Sequence, residues 1–108
     1  MAEFVKAASK SEVPPGIVKV VDVEGHRIAL CNVAGRFFAV DDVCTHDGGP
    51  LGSGRLCDGE IECPRHGARF DVTSGRAVLL PAVLPIRTYS VEVSGEDVRV
   101  SLEGGSNV

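Results

Sequence analysis

Two short motifs carry the residues best suited to chemistry. The first is Cys44-Thr45-His46, a C-x-H pattern, and the second is Cys63-Pro64-Arg65-His66, a C-x-x-H pattern, with sixteen residues between them. Each motif supplies one thiolate and one imidazole, which suit zinc and iron-sulfur centres. The sequence therefore predicts a four-ligand metal site built from Cys44, His46, Cys63 and His66.

Two kinds of metal centre accept this ligand set. Zinc takes two Cys and two His in a tetrahedron, whereas one type of [2Fe-2S] cluster has two Cys on one iron and two His on the other. Side chains two apart on an extended segment point the same way, so each motif could give one ligand to each iron. Common zinc fingers instead place a C-x-x-C pair before their histidines, and this chain has no C-x-x-C pair.

The residues around the ligands resemble a known family. The matching residues beyond the ligands are Thr45, Gly48-Gly49-Pro50-Leu51, Gly54, Pro64, Gly67, Phe70-Asp71, Ser74-Gly75, Pro81-Ala82 and Pro85-Ile86. This pattern resembles the Rieske-type [2Fe-2S] ferredoxins, the ferredoxin components of bacterial aromatic ring-hydroxylating dioxygenase systems. The resemblance implies one [2Fe-2S] cluster, with Cys44 and Cys63 on the inner iron and His46 and His66 on the outer iron near the surface.

The chain differs from the high-potential Rieske proteins of respiratory complexes. Those proteins carry two further Cys, joined in a disulfide, where this chain has Gly49 and Arg65, and they carry hydroxyl groups where this chain has Ala68 and Phe70. Hydrogen bonds to the cluster sulfurs stabilise the reduced state, so their loss lowers the potential. We therefore expect a reduction potential near the bottom of the Rieske range, roughly −150 mV.

Length, charge and composition limit the other functions. The chain has 108 residues, which suits one domain, and its formal net charge of −4 does not favour nucleic acid as a partner. Because the chain opens without a leader pattern and has no apolar run that could span a bilayer, we expect a cytoplasmic protein with no membrane association. Cys31 and Cys57 are interpreted as small buried thiols, and a disulfide between them is the alternative.

The remaining pattern predicts an all-β chain. Strands are predicted over Phe4 to Ala7, Ile17 to Val23, His26 to Val33, Arg36 to Val40, Ile61 to Glu62, Ala68 to Val72, Thr88 to Val93 and Asp97 to Ser101. Glu24-Gly25, Ala34-Gly35 and Ser94-Gly95-Glu96 are the predicted hairpin turns. With the resemblance, this implies a single Rieske domain over 1–108. Its antiparallel β-sandwich or barrel base would span about 1–42 and 84–103, with an inserted cluster-binding subdomain over about 43–83 and a flexible tail at 104–108.

The histidine count separates an electron carrier from an oxygenase. Rieske oxygenases also need a mononuclear iron held by two His and a carboxylate, and only His26 remains outside the predicted cluster. The resemblance therefore implies a non-enzymatic carrier that passes single electrons from a flavin-containing, NADH-dependent reductase to a terminal oxygenase. We expect exchange through a small, partly apolar rim, as in other weak redox encounters. Its predicted members are His46, His66, Pro50, Leu51, Pro64 and Pro81.

Other interpretations stay open from the sequence alone. A Rieske-like small subunit of a nitrite reductase would share this resemblance, and so would a carrier that serves another monooxygenase. A structural zinc module is the alternative from a different class of protein. The pair Asp41-Asp42 is interpreted as part of a solvated loop, with partner docking as its functional alternative.

Overall fold

Short antiparallel strands make up most of the described chain. The structure, a computed structural model, describes residues 3–44, 49–52, 54–64, 67–80 and 84–102. Within these ranges a 3-10 turn spans Lys10–Glu12, and no helix is long and apolar enough to cross a membrane. The strands are β1 Phe4–Ser9, β2 Val18–Val23, β3 His26–Val33, β4 Arg36–Asp41, β5 Leu56–Cys57, β6 Glu60–Glu62, β7 Arg69–Asp71, β8 Ala77–Leu79, β9 Thr88–Ser94 and β10 Asp97–Ser101.

Two-residue turns with left-handed backbone join the central strands. Between β2 and β3, φ is 51° at Glu24 and 87° at Gly25, and between β3 and β4 it is 54° at Ala34 and 92° at Gly35. Positive φ at both central residues defines a type I′ turn, whose twist matches that of the strands it joins. The two hairpins predicted at these dipeptides are therefore confirmed.

All the strand pairs in the described chain are antiparallel and belong to two sheets. The larger sheet has the order β1-β10-β9-β4-β3-β2, and the smaller has the order β5-β6-β7-β8. The two edge strands of the larger sheet, β1 and β2, approach each other, so this sheet curls towards a barrel. The predicted all-β antiparallel fold is confirmed. The division into a base, an inserted cluster-binding subdomain and a tail stays a prediction, and the tail lies outside the described residues.

The sequence pattern misses the two outer strands of the smaller sheet. β5 has two residues and β8 has three, so neither is long enough for an alternating pattern to be recognised. The Asp58-Gly59 dipeptide between β5 and β6 could have predicted this hairpin from the sequence. The two residues have φ of 52° and 79° and form another type I′ turn. An Asp-Gly dipeptide between short apolar runs is a strong indication of a hairpin.

The apolar side chains that the structure describes form two core clusters, and one of them contains both motif cysteines. The first lies within the larger sheet and includes Ile28, Leu30, Val98 and Val100. The second joins β3 and β4 to the smaller sheet, and its fully buried members include Cys44, Leu51, Ile61, Cys63 and Phe70. Burying one large apolar side chain stabilises a fold by about 1.5–3 kcal/mol. The second cluster therefore fixes the smaller sheet on the larger one.

Tyr89 links the end of β4 to β9. Its hydroxyl donates a hydrogen bond to Oδ1 of Asp41, and the guanidinium carbon of Arg87 lies 4.7 Å from the centre of its ring. Burial of the phenol and its hydrogen bond to the Asp41 carboxylate raise the pKa of Tyr89 to about 12. The interpretation of Asp41 as a solvated loop residue is wrong, because its carboxylate holds a neighbouring strand.

We expect Tyr89 to titrate well above an ordinary tyrosine. The chain has one Tyr and no Trp, so near-ultraviolet difference absorbance reports this phenol alone. The expected midpoint in the folded protein is about 12, against about 10 after unfolding in denaturant. The raised pKa favours the neutral phenol, so its contribution to stability is complete below about pH 10 and is lost as the pH rises towards about 12. A folded-state midpoint near the unfolded value would contradict this prediction.

Candidate metal centre

Cys63 begins the turn that joins β6 to β7. It follows Glu62 at the end of β6 and lies on the same side of the chain as buried Ile61, as period-two alternation requires. Its N-H donates to the carbonyl of Ala68 at 2.6 Å, and its carbonyl accepts from the N-H of Gly67 at 3.0 Å. Gly67 has φ of 76°, a conformation that glycine adopts without strain. These two bonds close the turn around the Cys63 thiol.

Cys44 lies in a second loop, which leaves the larger sheet after β4. Its N-H donates to the carbonyl of Gly49 at 2.7 Å, so residues 44 and 49 are hydrogen-bonded to each other. The Cys44 side chain is fully buried, and that of Cys63 is buried to nearly the same degree. The two thiols thus come from separate loops into one apolar cluster.

The histidine half of the predicted ligand set lies outside the described residues. This applies to His46 and His66, and also to Pro81 of the predicted rim. The ligand set Cys44, His46, Cys63 and His66 therefore stays a prediction. What the structure adds is the placement of the two thiols in a common interior.

The other two cysteines have different environments. All four cysteines lie in the described chain, and none forms a disulfide. Cys31 is buried on β3 in the same cluster as the motif cysteines, and burial raises the pKa of its thiol to about 12. Cys57 is exposed, so its interpretation as a buried thiol is wrong.

Asp42 ties the Cys44 loop to the larger sheet, and the sequence analysis missed this role. Its side chain is fully buried. Oδ1 accepts hydrogen bonds from the N-H groups of Leu51 at 2.9 Å and Gly52 at 2.6 Å, and Oδ2 lies 3.1 Å from Nη2 of Arg27. The interpretation of Asp42 as a solvated loop residue is wrong, because it is a buried carboxylate with backbone and ionic partners.

Close contacts at two glycines fix the end of the Cys44 loop against neighbouring strands. A Cβ atom on Gly52 would overlap the side chain of Val20 on β2, and a Cβ on Gly54 would overlap the carbonyl oxygen of Glu62. Glu62 is the residue immediately before Cys63, so the end of the Cys44 loop packs directly on the strand that leads to the second thiol. The close approach that these glycines permit is thus to neighbouring strands of the chain.

The described members of the predicted rim divide into exposed and buried residues. Pro50 and Pro64 are exposed, which leaves them available for contact with a partner. Leu51 is fully buried in the cluster that contains both motif cysteines. The prediction that Leu51 belongs to an exposed rim is wrong, because its side chain fills the core below the Cys44 loop.

The described donors fit one half of a [2Fe-2S] cluster with mixed ligands. Such a cluster needs two thiolates on one iron, and Cys44 and Cys63 provide two buried thiols in one apolar cluster. Leu51 and Phe70 belong to that cluster, and an apolar shell limits the access of solvent to a bound metal.

Comparisons with known proteins point to one family. The family model described as Rieske [2Fe-2S] domain matches residues 3–90. The chain is 42% identical over 100 residues to the biphenyl 2,3-dioxygenase ferredoxin component of Rhodococcus jostii, covering 93% of this chain and 94% of that one. It is 41% identical over 100 residues to the naphthalene 1,2-dioxygenase system ferredoxin component of Pseudomonas aeruginosa, covering 93% and 96%. A chain in the solved complex of reduced oxygenase and oxidised ferredoxin in carbazole 1,9a-dioxygenase aligns with a TM-score of 0.86 at 33% identity, covering 91% of this chain and 92% of that chain.

We expect Gly54→Ala to disturb the metal centre more than an ordinary destabilising change. The added methyl meets the backbone of Glu62, so the loop must move away from β6, at a cost of about 1–3 kcal/mol. Gly35→Ala is the matched control, because its φ of 92° strains alanine while its Cβ meets open space. Iron per chain after purification should fall at least twofold in Gly54→Ala and stay at the wild-type value in Gly35→Ala. Full iron content in both variants would contradict the proposed coupling of the two loops.

Proposed function

The chain belongs to the Rieske [2Fe-2S] domain family, and we propose that it is the ferredoxin component of a bacterial aromatic ring-hydroxylating dioxygenase system. In this role it carries single electrons and does not itself transform a substrate. The observation that carries the proposal is the pair of buried thiols, Cys44 and Cys63, which two loops bring into one apolar cluster. The match of more than nine-tenths of the chain to ferredoxin components supports the same role.

Each proposed ligand has a distinct task. Cys44 and Cys63 would hold the inner iron, and His46 and His66 would hold the outer one. The bound cluster supplies a site that gains and loses one electron. The chain contributes rigidity, because both thiols are buried and both loops are closed by backbone hydrogen bonds. A site that moves little between oxidation states needs little reorganisation when an electron arrives.

The surroundings of the thiols support a low potential within the Rieske range. Phe70 is fully buried in the cluster of apolar residues that holds both cysteines, and Ala68 lies beside it in the Cys63 turn, also buried. Neither side chain carries a hydroxyl that could donate to a cluster sulfur. Fewer such donors favour the oxidised state, so we keep the value of roughly −150 mV.

Exposed leucines lie at the same end of the smaller sheet as Cys63. Glu62 pairs with Arg69 across β6 and β7, and Arg69 pairs with Leu79 across β7 and β8. β6 and β8 therefore run in the same direction, and the chain leaves β8 beside the Cys63 turn. Leu80 follows with 71% of its surface exposed. Leu79 and Leu80 replace Leu51 in the proposed rim, which otherwise keeps its predicted members His46, His66, Pro50, Pro64 and Pro81.

The terminal oxygenase is the proposed partner at this rim. The solved carbazole 1,9a-dioxygenase complex pairs an oxygenase with a ferredoxin, which supports direct contact between two such components. A flavin-containing reductase is the proposed electron donor. Since that reductase draws on NADH, we propose that the system works in the cytoplasm. The named homologues favour a dioxygenase component over a nitrite reductase subunit or a zinc module.

The metal centre itself provides the test of the proposed function. We expect visible absorption that bleaches with dithionite, a rhombic EPR signal with an average g below that of all-Cys clusters, and a potential of roughly −150 mV by voltammetry. Cys44→Ser and Cys63→Ser should each lose iron and this spectrum. Cys57→Ser is the matched control, because Cys57 is exposed, and it should keep both. A colourless zinc protein, or a potential above about +100 mV, would contradict the proposal.

The rim provides a separate test of partner docking. We expect Leu80→Asp to leave the absorption spectrum and the potential unchanged but to slow electron transfer to the oxygenase about tenfold, equivalent to about 1.4 kcal/mol. The control is Val93→Asp, which makes the same charge change at a residue with 45% exposure near the β9–β10 turn. Stopped-flow reduction of the Rhodococcus jostii biphenyl oxygenase provides the rates. Equal rates in the wild type and Leu80→Asp would exclude Leu80 from the contact.

A further inference from the structure

An ion pair with one buried and one exposed partner lies beside the loop that carries Cys44. The Asp42 side chain has no exposed surface, whereas 66% of the Arg27 side chain is exposed. Oδ2 of Asp42 and Nη2 of Arg27 are 3.1 Å apart, and the Asp42 N-H also donates to the Arg27 carbonyl at 3.1 Å. The two residues are thus joined through both their backbones and their side chains, at the end of the β3–β4 ladder.

The carboxylate of Asp42 also closes the loop. The N-H groups of Leu51 and Gly52 both donate to Oδ1, so residues 42 and 52 are held together at the base of the loop. Cys44 lies inside this closed segment, and so does the predicted ligand His46. A carboxylate that accepts two backbone hydrogen bonds and one ionic one is well satisfied despite its burial. Its position fixes where the loop, and with it the Cys44 thiol, leaves the larger sheet.

The charges of the pair are unequally exposed to water. Asp42 is shielded from solvent, so its negative charge acts through an interior of low effective dielectric. Arg27 and Asp42 line a shallow surface cavity together with Val20, Pro50 and Gly52, and water screens part of the charge of the exposed Arg27 side chain. A negative charge near a cluster opposes the arrival of an electron, and a positive charge assists it.

We propose that Asp42 is a positioning residue for the Cys44 loop and that the Arg27–Asp42 pair sets the reduction potential of the cluster. Asp42 holds the loop through the backbone of Leu51 and Gly52, and Arg27 offsets the charge that this arrangement places near the cluster. This inference rests on the proposed function, because it assumes a bound [2Fe-2S] cluster. In this proposal, Oδ1 of Asp42 determines the geometry of the loop. The balance between the negative charge of Asp42 and the positive charge of Arg27 determines the reduction potential.

Three substitutions separate geometry from charge. Asp42→Asn keeps an oxygen for the two backbone donors but removes the negative charge, so iron is retained and the potential rises. Arg27→Gln removes the positive charge, so the potential falls. Each shift should correspond to at least a threefold change in the electron-transfer equilibrium constant, about 28 mV at 59 mV per tenfold for one electron. Asp42→Ala removes the acceptor as well, and we expect it to lose at least half of its iron.

A second ion pair in the larger sheet provides matched controls. Arg99 and Asp97 lie on β10 with Nη2 and Oδ2 3.9 Å apart. Arg99→Gln changes the net charge of the chain by the same amount as Arg27→Gln, and Asp97→Asn by the same amount as Asp42→Asn, but at a site away from the Cys44 loop. Each control should therefore shift the reduction potential by less than its counterpart at residue 27 or 42. Voltammetry gives the potentials, EPR lineshape reports cluster geometry, and thermal unfolding reports the stability of each variant.

The outcomes distinguish this inference from the proposed function. A wild-type protein without a [2Fe-2S] spectrum would remove the proposed function. With the spectrum present, shifts of opposite sign in Asp42→Asn and Arg27→Gln, larger than those of the controls, support the inference. Shifts of the same sign, or shifts no larger than the controls, overturn it. If Asp42→Asn does not retain iron, Arg27→Gln is the deciding variant, because the exposed Arg27 side chain can be replaced without opening the core. A lowered reduction potential in Arg27→Gln then supports the inference, and an unchanged potential overturns it.

Discussion

Two thiols from separate loops must reach one interior site, and a backbone contact between those loops constrains their positions. Gly54 packs on the carbonyl of Glu62, immediately before Cys63, and its own N-H donates to the Leu51 carbonyl at 2.9 Å. A contact between backbones has no side-chain rotamers to sample, so it holds distance more tightly than a contact between long side chains. The remaining features of the smaller sheet build on this contact.

The larger sheet supplies the rigid support. β3 and β4 contribute Ala29, Cys31 and Val40 to the cluster that also contains the motif cysteines, so the metal centre is packed on hydrogen-bonded strands rather than on loops. Cys31 is the third buried thiol of this cluster, and burial raises its pKa to about 12. It lies on β3, whereas Cys44 and Cys63 lie in the two loops.

The sequence predicts what depends on neighbouring residues and misses what depends on distant ones. Glu24-Gly25 and Ala34-Gly35 predict their hairpins correctly, because a type I′ turn is determined by its own two residues. Leu51 gives no such local information: it follows a proline in a glycine-rich segment without periodicity, and only the packing of the small sheet buries it. Asp42 is similar, since its buried carboxylate is stabilised by distant partners: Arg27, fifteen residues earlier, and the N-H groups of Leu51 and Gly52, nine and ten residues later. β5 and β8 are missed because two or three residues cannot display an alternating pattern.

The proximity of the proposed rim to the metal centre follows from strand direction. In an antiparallel sheet, strands separated by one neighbour run the same way, so β6 and β8 both end on the side of the Cys63 turn. β8 is an edge strand of only three residues, and such a short edge offers few backbone groups for strand addition. Contact at this edge must therefore come mainly from side chains, and Leu79 and Leu80, at the end of β8 and directly after it, are exposed. A small apolar contact beside a buried centre allows a partner to approach closely and to leave quickly, which is what an electron carrier requires of its surface.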